Sequence, residues 1–131
     1  MNTEIINECM KASFADTPFP VVVQKLASAG VACYNADLIT LRKTYYDADT
    51  HSVDEALPLT GVPAIAARFD GHAVQAAVKA IQQKEVGHAE FLRRIMRAGC
   101  STYQVFFNGR KAMYFGRDGD FYTEPFPRAA K

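Results

Sequence analysis

Tyrosines, cysteines, histidines and two cation–carboxylate pairs are the residues whose types and spacing offer chemistry. Tyr34 and Tyr45 recur as Tyr103 and Tyr114 in a shifted second copy of one pattern. Such phenols pack as amphipathic rings whose hydroxyl must find a polar partner, and in a pocket they can serve as polar groups toward a ligand. Arg42 with Glu55 and Lys111 with Glu124 are duplicated charged pairs, candidates for a shared polar site. Surface ion pairs of that kind more often contribute little. Cys9, Cys33 and Cys100 form no C-x-x-C pair, and an odd count points to reduced thiols. A nucleophilic couple of Cys33 or Cys100 with His51 or His72 would need the fold to bring them together. His51, His72 and His88 lack metal-ligand spacing, and no phosphate loop, dinucleotide fingerprint or nucleophile elbow occurs. Neither a metal nor a cofactor is expected.

The elements that must position these residues follow from an internal repeat. Shifted by 69 positions, Ala29, Gly30 and Tyr34 fall on Ala98, Gly99 and Tyr103, and Tyr45, Asp49, Glu55 and Pro58 fall on Tyr114, Asp118, Glu124 and Pro127. Seven identities in thirty positions exceed the roughly two that average composition gives by chance. Upstream the match is one of character, with Val22, Val23 and Leu26 on Phe91, Leu92 and Ile95, and Ile5 and Cys9 on Val74 and Val78. These are spacings of amphipathic helices. The pseudo-repeats span about 1–58 and 70–127 of a single domain, 1–131.

Each copy predicts two helices and three strands. The first helix starts near Thr3 or Asp70, each a possible N-cap, and the second ends at Gly30 or Gly99. Strands follow, turning at Asn108-Gly109 and again at "RDGD" in the second copy. The first hairpin lacks Asn-Gly and is expected to turn differently, around "NAD". The connection predicts a further strand around 64–69. The fold class is α+β: an αα-βββ unit duplicated, with an antiparallel sheet and helices on one face.

A two-residue turn at Asn108-Gly109 sets Val105 opposite Ala112 and Tyr103 opposite Tyr114, on the face beneath the helices. The other face then carries Phe106, Lys111, Met113 and Phe115, joined through the Asp118-Gly119 turn by Tyr122 and Glu124. Arg42, Tyr46 and Glu55 are the first copy's counterparts. This mixed aromatic and charged face exposes more apolar surface than a solvated sheet normally carries.

Composition narrows the partners. The chain is 49% apolar and 22% charged with a formal charge of +1, which supplies no field for nucleic acid or anionic membrane. No run approaches the ~20 apolar residues of a membrane span, and "MNTEIINECMKAS" lacks the order of a signal peptide, so a cytoplasmic location is expected.

"FPVVVQKLASAGVACYNADL", "TYYDAD", "AVKAIQQKEVGHAEFLRRIMRAGC" and "GRDGDFYTEPFP" resemble an uncharacterised bacterial and phage family, some members of which are labelled phage envelope protein. The resemblance spans nearly the whole chain. It implies a fold and a possible prophage origin, and no catalytic residues.

The expected function is that of a non-enzymatic binding or interaction protein. It would be a homodimer using the face around Arg42, Tyr46, Phe106, Lys111, Phe115 and Glu124, with a protein or small molecule as possible further partner. The alternative is a small enzyme or ligand-binding protein with a pocket between helices and sheet lined by Tyr34, Tyr45, Tyr103 and Tyr114. A closed pocket of several hundred Å³ with a perturbed titrating group would favour that alternative.

Overall fold

The computed structural model describes residues 1–127. Helices α1 (Thr3–Phe14) and α2 (Phe19–Ser28) lead into strands β1 (Cys33–Asp37), β2 (Arg42–Tyr46) and β3 (Ser52–Ala56). Then α3 (Gly71–Gln82) and α4 (His88–Arg97) lead into β4 (Cys100–Phe106), β5 (Lys111–Gly116) and β6 (Phe121–Pro125). The fold is α+β, an αα-βββ unit twice over, with one antiparallel sheet in the order β3-β2-β1-β4-β5-β6.

Local chemistry sets the helix limits. Asn2, one residue before the expected cap, accepts from the Ile5 N–H at 3.2 Å, and Asp70 does the same for Ala73 at 3.1 Å. Gly30 and Gly99 end α2 and α4 in the left-handed region, at φ 93° and 91°, and release the chain into the sheet. Buried Ile6, Cys9 and Met10 of α1 stand where α3 has Val74, Ala77 and Val78, an offset of 68. The uniform offset of 69, which matched half-buried Ile5 to Val74, fails here because the α3–α4 turn is one residue longer.

Both β1–β2 and β4–β5 turn through four residues in the same register. In the first, Asp37 Oδ1 accepts from the N–H groups of Ile39 (2.9 Å) and Thr40 (3.0 Å), which replaces Asn-Gly as the turn former. The expected turn at "NAD" therefore moves to 38–41. Leu41 and Arg110 close the two turns with left-handed backbones, φ 56° and 53°.

The next turns contain three residues each. Asp47 N–H donates to His51 O across 48–50, and Gly116 N–H donates to Asp120 O across 117–119, with Thr50 (φ 68°) and Gly119 (φ 89°) left-handed. This corrects one expectation. A two-residue turn would put Tyr122, Glu124 and Glu55 on the face away from the helices, whereas the extra residue slips the register by one. Tyr122 now lies opposite Tyr114, Glu124 opposite Ala112 and Glu55 opposite Lys43, all on the helix side.

Asn35 lies opposite Gln104 at the β1–β4 seam, and these two are equivalent in the repeat. Cys33 lies opposite Phe106 and Asp37 opposite Thr102, so the halves are related by a two-fold axis through the middle of the sheet. No strand forms around 64–69. That segment follows α4 instead: the Ala66 and Asp70 N–H groups donate to Met96 O (3.2 Å) and Ala98 O (2.7 Å), satisfying carbonyls at the helix end. The core joins Leu26, Val31, Val74, Phe91, Leu92 and Ile95 from the helical layer to Tyr34, Ala36, Tyr45, Tyr103 and Val105 from the sheet. No helix among the described residues is long and apolar enough to cross a membrane.

Candidate functional site

Alternation along the strands places five tyrosines under the helices, one per strand on β2, β1, β4, β5 and β6: Tyr45, Tyr34, Tyr103, Tyr114 and Tyr122. Their ring centroids follow one another at 5.7, 6.4, 5.3 and 6.4 Å, a continuous aromatic row across the sheet. Between this row and the two helix pairs lies a cavity of about 680 Å³. Its floor is Tyr34, Tyr103, Val105, Ala112 and Tyr114. Phe91, Val78, Val22 and Ser13 cover it, and the α1–α2 turn, the α3–α4 turn and the end of β6 form its rim.

Lys43 extends into this space. The alternation of β2 puts it beside Tyr45 on the core side, with 3% of its surface exposed. Its Nζ sits 4.1 Å from the Tyr34 ring centroid and 5.3 Å from that of Tyr45, a cation held over two π faces. Among the described residues no carboxylate comes within 4.0 Å of Nζ, and no acceptor binds it. Glu55, its cross-strand neighbour, instead accepts from the Tyr45 hydroxyl at 2.9 Å.

Burial pulls the Lys43 amine down to about 8, with the negative charge of Glu55 acting in the opposite sense. Burial also raises Tyr34, Tyr103 and Tyr114 well above the ordinary phenol range, so their hydroxyls remain neutral donors. These three hydroxyls take no hydrogen-bond partner among the described residues, and no buried polar side-chain atom there is left both sealed and unpartnered. The hydroxyls therefore open onto the cavity. At the rim, His88 packs edge-on against Phe14 at 4.9 Å and stacks on Phe91 at 6.3 Å. Burial and the Lys43 charge lower the imidazole to about 4, against the pull of Asp16.

The repeat explains where the space comes from. The equivalent of Lys43 in the second copy is Ala112, which lines the cavity floor. The first copy fills its site with a long side chain and the second leaves that volume open.

Of the pocket residues expected from sequence, Tyr34, Tyr103 and Tyr114 line the cavity, while Tyr45 lies beneath Lys43, bonded to Glu55. Glu124 also reaches the cavity, accepting from the Tyr122 hydroxyl and from Gln82 Nε2 at 3.5 Å. The opposite face keeps Arg42, Tyr46, Phe106, Lys111, Met113 and Phe115, separated from Glu55, Tyr122 and Glu124 by the sheet itself. The expected pairs Arg42–Glu55 and Lys111–Glu124 do not form. Arg42 Nε binds Asp54 Oδ2 at 2.8 Å, and Lys111 lies opposite Pro125.

Sequence reasoning passed over Lys43. Its signal was a cation in phase with Tyr45 of its strand, at a position where the repeat has alanine. Among the described residues, the cluster with metal-ligand potential is Asp47, Asp49 and His51, on the exposed β2–β3 turn. Asp47 is occupied there by the Asp49 and His51 N–H groups and the His51 ring.

The comparisons with known proteins find relatives of the sequence without assigning an activity. Uncharacterised proteins of Mycobacterium bovis and Mycobacterium tuberculosis are each 31% identical to it over 107 residues, 81% of this chain. That match covers 65% of their own length, so the relatives are longer than the matched region. A family model described as a protein of unknown function, DUF1398, matches residues 16–125, from the α1–α2 turn to the end of β6, and the chain belongs to that family.

Proposed function

We propose that this protein binds a small, largely apolar molecule in the cavity between its helices and its sheet. The observation that carries this reading is a cavity of about 680 Å³ into which buried polar groups project without protein partners. Small-molecule sites have this size and this make-up, an apolar wall with a few oriented polar groups. A binding role rather than a reaction is supported by phenols held firmly neutral and by cysteines whose thiols burial pushes up, Cys100 to about 12. The three free cysteines also suit a reducing, cytoplasmic setting. A prophage origin would alter where the gene travels and not what the cavity can hold.

The test is titration with the neutral fluorophore N-phenyl-1-naphthylamine. Saturable one-to-one enhancement is expected, and Ala112→Phe, folded by circular dichroism, should abolish it by filling the floor. Absence of saturable binding, or undiminished binding by a folded Ala112→Phe variant, refutes the reading.

Self-association through the opposite face is a second, separate proposal. Its support is Phe121, 60% exposed, with its ring 6.3 Å from that of Phe115 and Tyr46 exposed on the same face. Light scattering on the wild type should give a dimer mass and on Phe115→Glu a monomer. A monomeric wild type removes the proposal.

A further inference from the structure

Deepening the binding reading, on which it rests, we propose that the ligand is a monocarboxylic acid with an apolar body, whose carboxylate meets the Lys43 ammonium and a tyrosine hydroxyl. Three features select that head group. First, the unpartnered polar atoms over the sheet can all donate: Lys43 Nζ, which only donates, and the hydroxyls of Tyr34, Tyr103 and Tyr114. Two of the three carboxylates at its border are already engaged, and the third, Glu85, is exposed at the rim. Asp16 takes the His88 N–H at 2.9 Å, and Glu124 takes Tyr122 and Gln82. The ammonium at the centre of the site can only donate, and it calls for an acceptor on the ligand.

Second, Lys43 is a buried cation with no counter-charge within ion-pairing distance among the described residues. A carboxylate supplies that charge and the hydrogen-bond acceptors in one planar group. Third, the charge matches a monoanion. Lys43 is a single deep cation, and Lys84, the other lysine of the lining, lies exposed at the rim. A phosphate dianion would leave a net negative charge beneath the helices, and an amine would meet like charge.

The remaining wall selects the body. Val22, Val78, Phe91, Val105 and Ala112 are aliphatic or aromatic, and the cavity accommodates an acyl chain or an aromatic ring of medium size. The base of the site is the Tyr34 face, 4.1 Å below the ammonium. It holds Nζ in place without using its hydrogen-bonding capacity, which stays free for the ligand.

The experiment is calorimetric titration of octanoate, 1-octanol and octylamine into the wild type and Lys43→Met at pH 7. Octanoate is expected to bind the wild type at least tenfold more tightly than 1-octanol, and octylamine least tightly. In Lys43→Met the octanoate advantage should vanish while 1-octanol binds as before. A second readout uses the wild type alone. Between pH 7 and pH 10 octanoate affinity should fall at least several-fold as the amine loses its proton, with 1-octanol unchanged. Equal binding of octanoate and 1-octanol, a preference for octylamine, or octanoate binding indifferent to both Lys43→Met and pH overturns the carboxylate proposal. In those cases the cavity reading survives. Binding of none of the three overturns both.

Discussion

Replacing Lys43 with methionine should make the ligand-free protein more stable. Methionine keeps a long apolar stem along the Tyr34 and Tyr45 rings while removing an ammonium that has no counter-ion there. The folded state holds this amine at about 8 against an ordinary value of 10.5. At ~1.4 kcal/mol per decade of proton affinity, keeping the charge inside costs about 3 kcal/mol at neutral pH. Contact with the tyrosine faces contributes roughly 1 kcal/mol that the variant loses. A net gain of about 2 kcal/mol is therefore expected at pH 7.

The pH dependence carries its own sign. Because the folded value is depressed, the Lys43 amine binds its proton more readily in the unfolded chain between about 8 and 10.5, and its contribution to wild-type stability rises with pH across that interval. Lys43→Met lacks the rise, so its advantage should shrink by pH 10. The raised thiols act oppositely above their ordinary value near 9, and the raised tyrosines above theirs near 10, in both proteins alike. Urea unfolding of both proteins at pH 7 and pH 10 measures the gap directly. A variant less stable than wild type at pH 7, or a gap independent of pH, refutes the reasoning. A residue that costs stability where its repeat partner is alanine is understood most simply as one kept for binding.

Other consequences are local. Gly99→Ala should cost roughly 3 kcal/mol, and Gly30→Ala roughly 1 kcal/mol. Both have a left-handed backbone, but a Cβ on Gly99 would fall 2.2 Å from Arg68 O, whereas on Gly30 its nearest neighbour is Met1 at 3.6 Å; thermal melts give the difference, and equal losses would contradict it. Thr50→Gly should stabilise by about 1 kcal/mol, because a β-branched residue at φ 68° stands where the second copy has Gly119, and chemical denaturation reads the gain or its absence. With Ellman's reagent at pH 8, half-buried Cys33 should react slowly while buried Cys9 and Cys100 wait for unfolding, and rapid release from all three would contradict their burial.

Much of the scaffold was legible because repetition amplifies weak signals. The doubled Ala-Gly marked two helix ends, and the cross-strand partners Val105–Ala112 and Tyr103–Tyr114 came out correctly even though the turn between them holds four residues rather than two. Even-numbered loops preserve the facing of every side chain, so that error did no harm. The three-residue turns did not forgive. One residue more at 117–119 moved Tyr122 and Glu124 through the sheet, and the equivalent turn moved Glu55. Loop length depends on whether Thr50 and Gly119 adopt left-handed backbones, which residue type signals at glycine and conceals at threonine.

The cavity was legible only in part. Its tyrosines followed from strand alternation, but empty volume is a property of how two helix pairs sit over a sheet, and neither pair announces it alone. The difference between Lys43 and Ala112 was present in the aligned repeats. Read as a packing asymmetry, it marks both the polar group of the site and the room above its twin.

The most direct test of the site follows the Lys43 ε-carbon by NMR during a pH titration, with and without octanoate, assigned by comparison with Lys43→Met. One lysine resonance should titrate near 8 in the free protein and move well above that value when the carboxylate is bound. If the Lys43 resonance titrates near 10.5 with the exposed lysines, or its midpoint ignores octanoate, then Lys43 is not the buried, unpartnered cation of a ligand site.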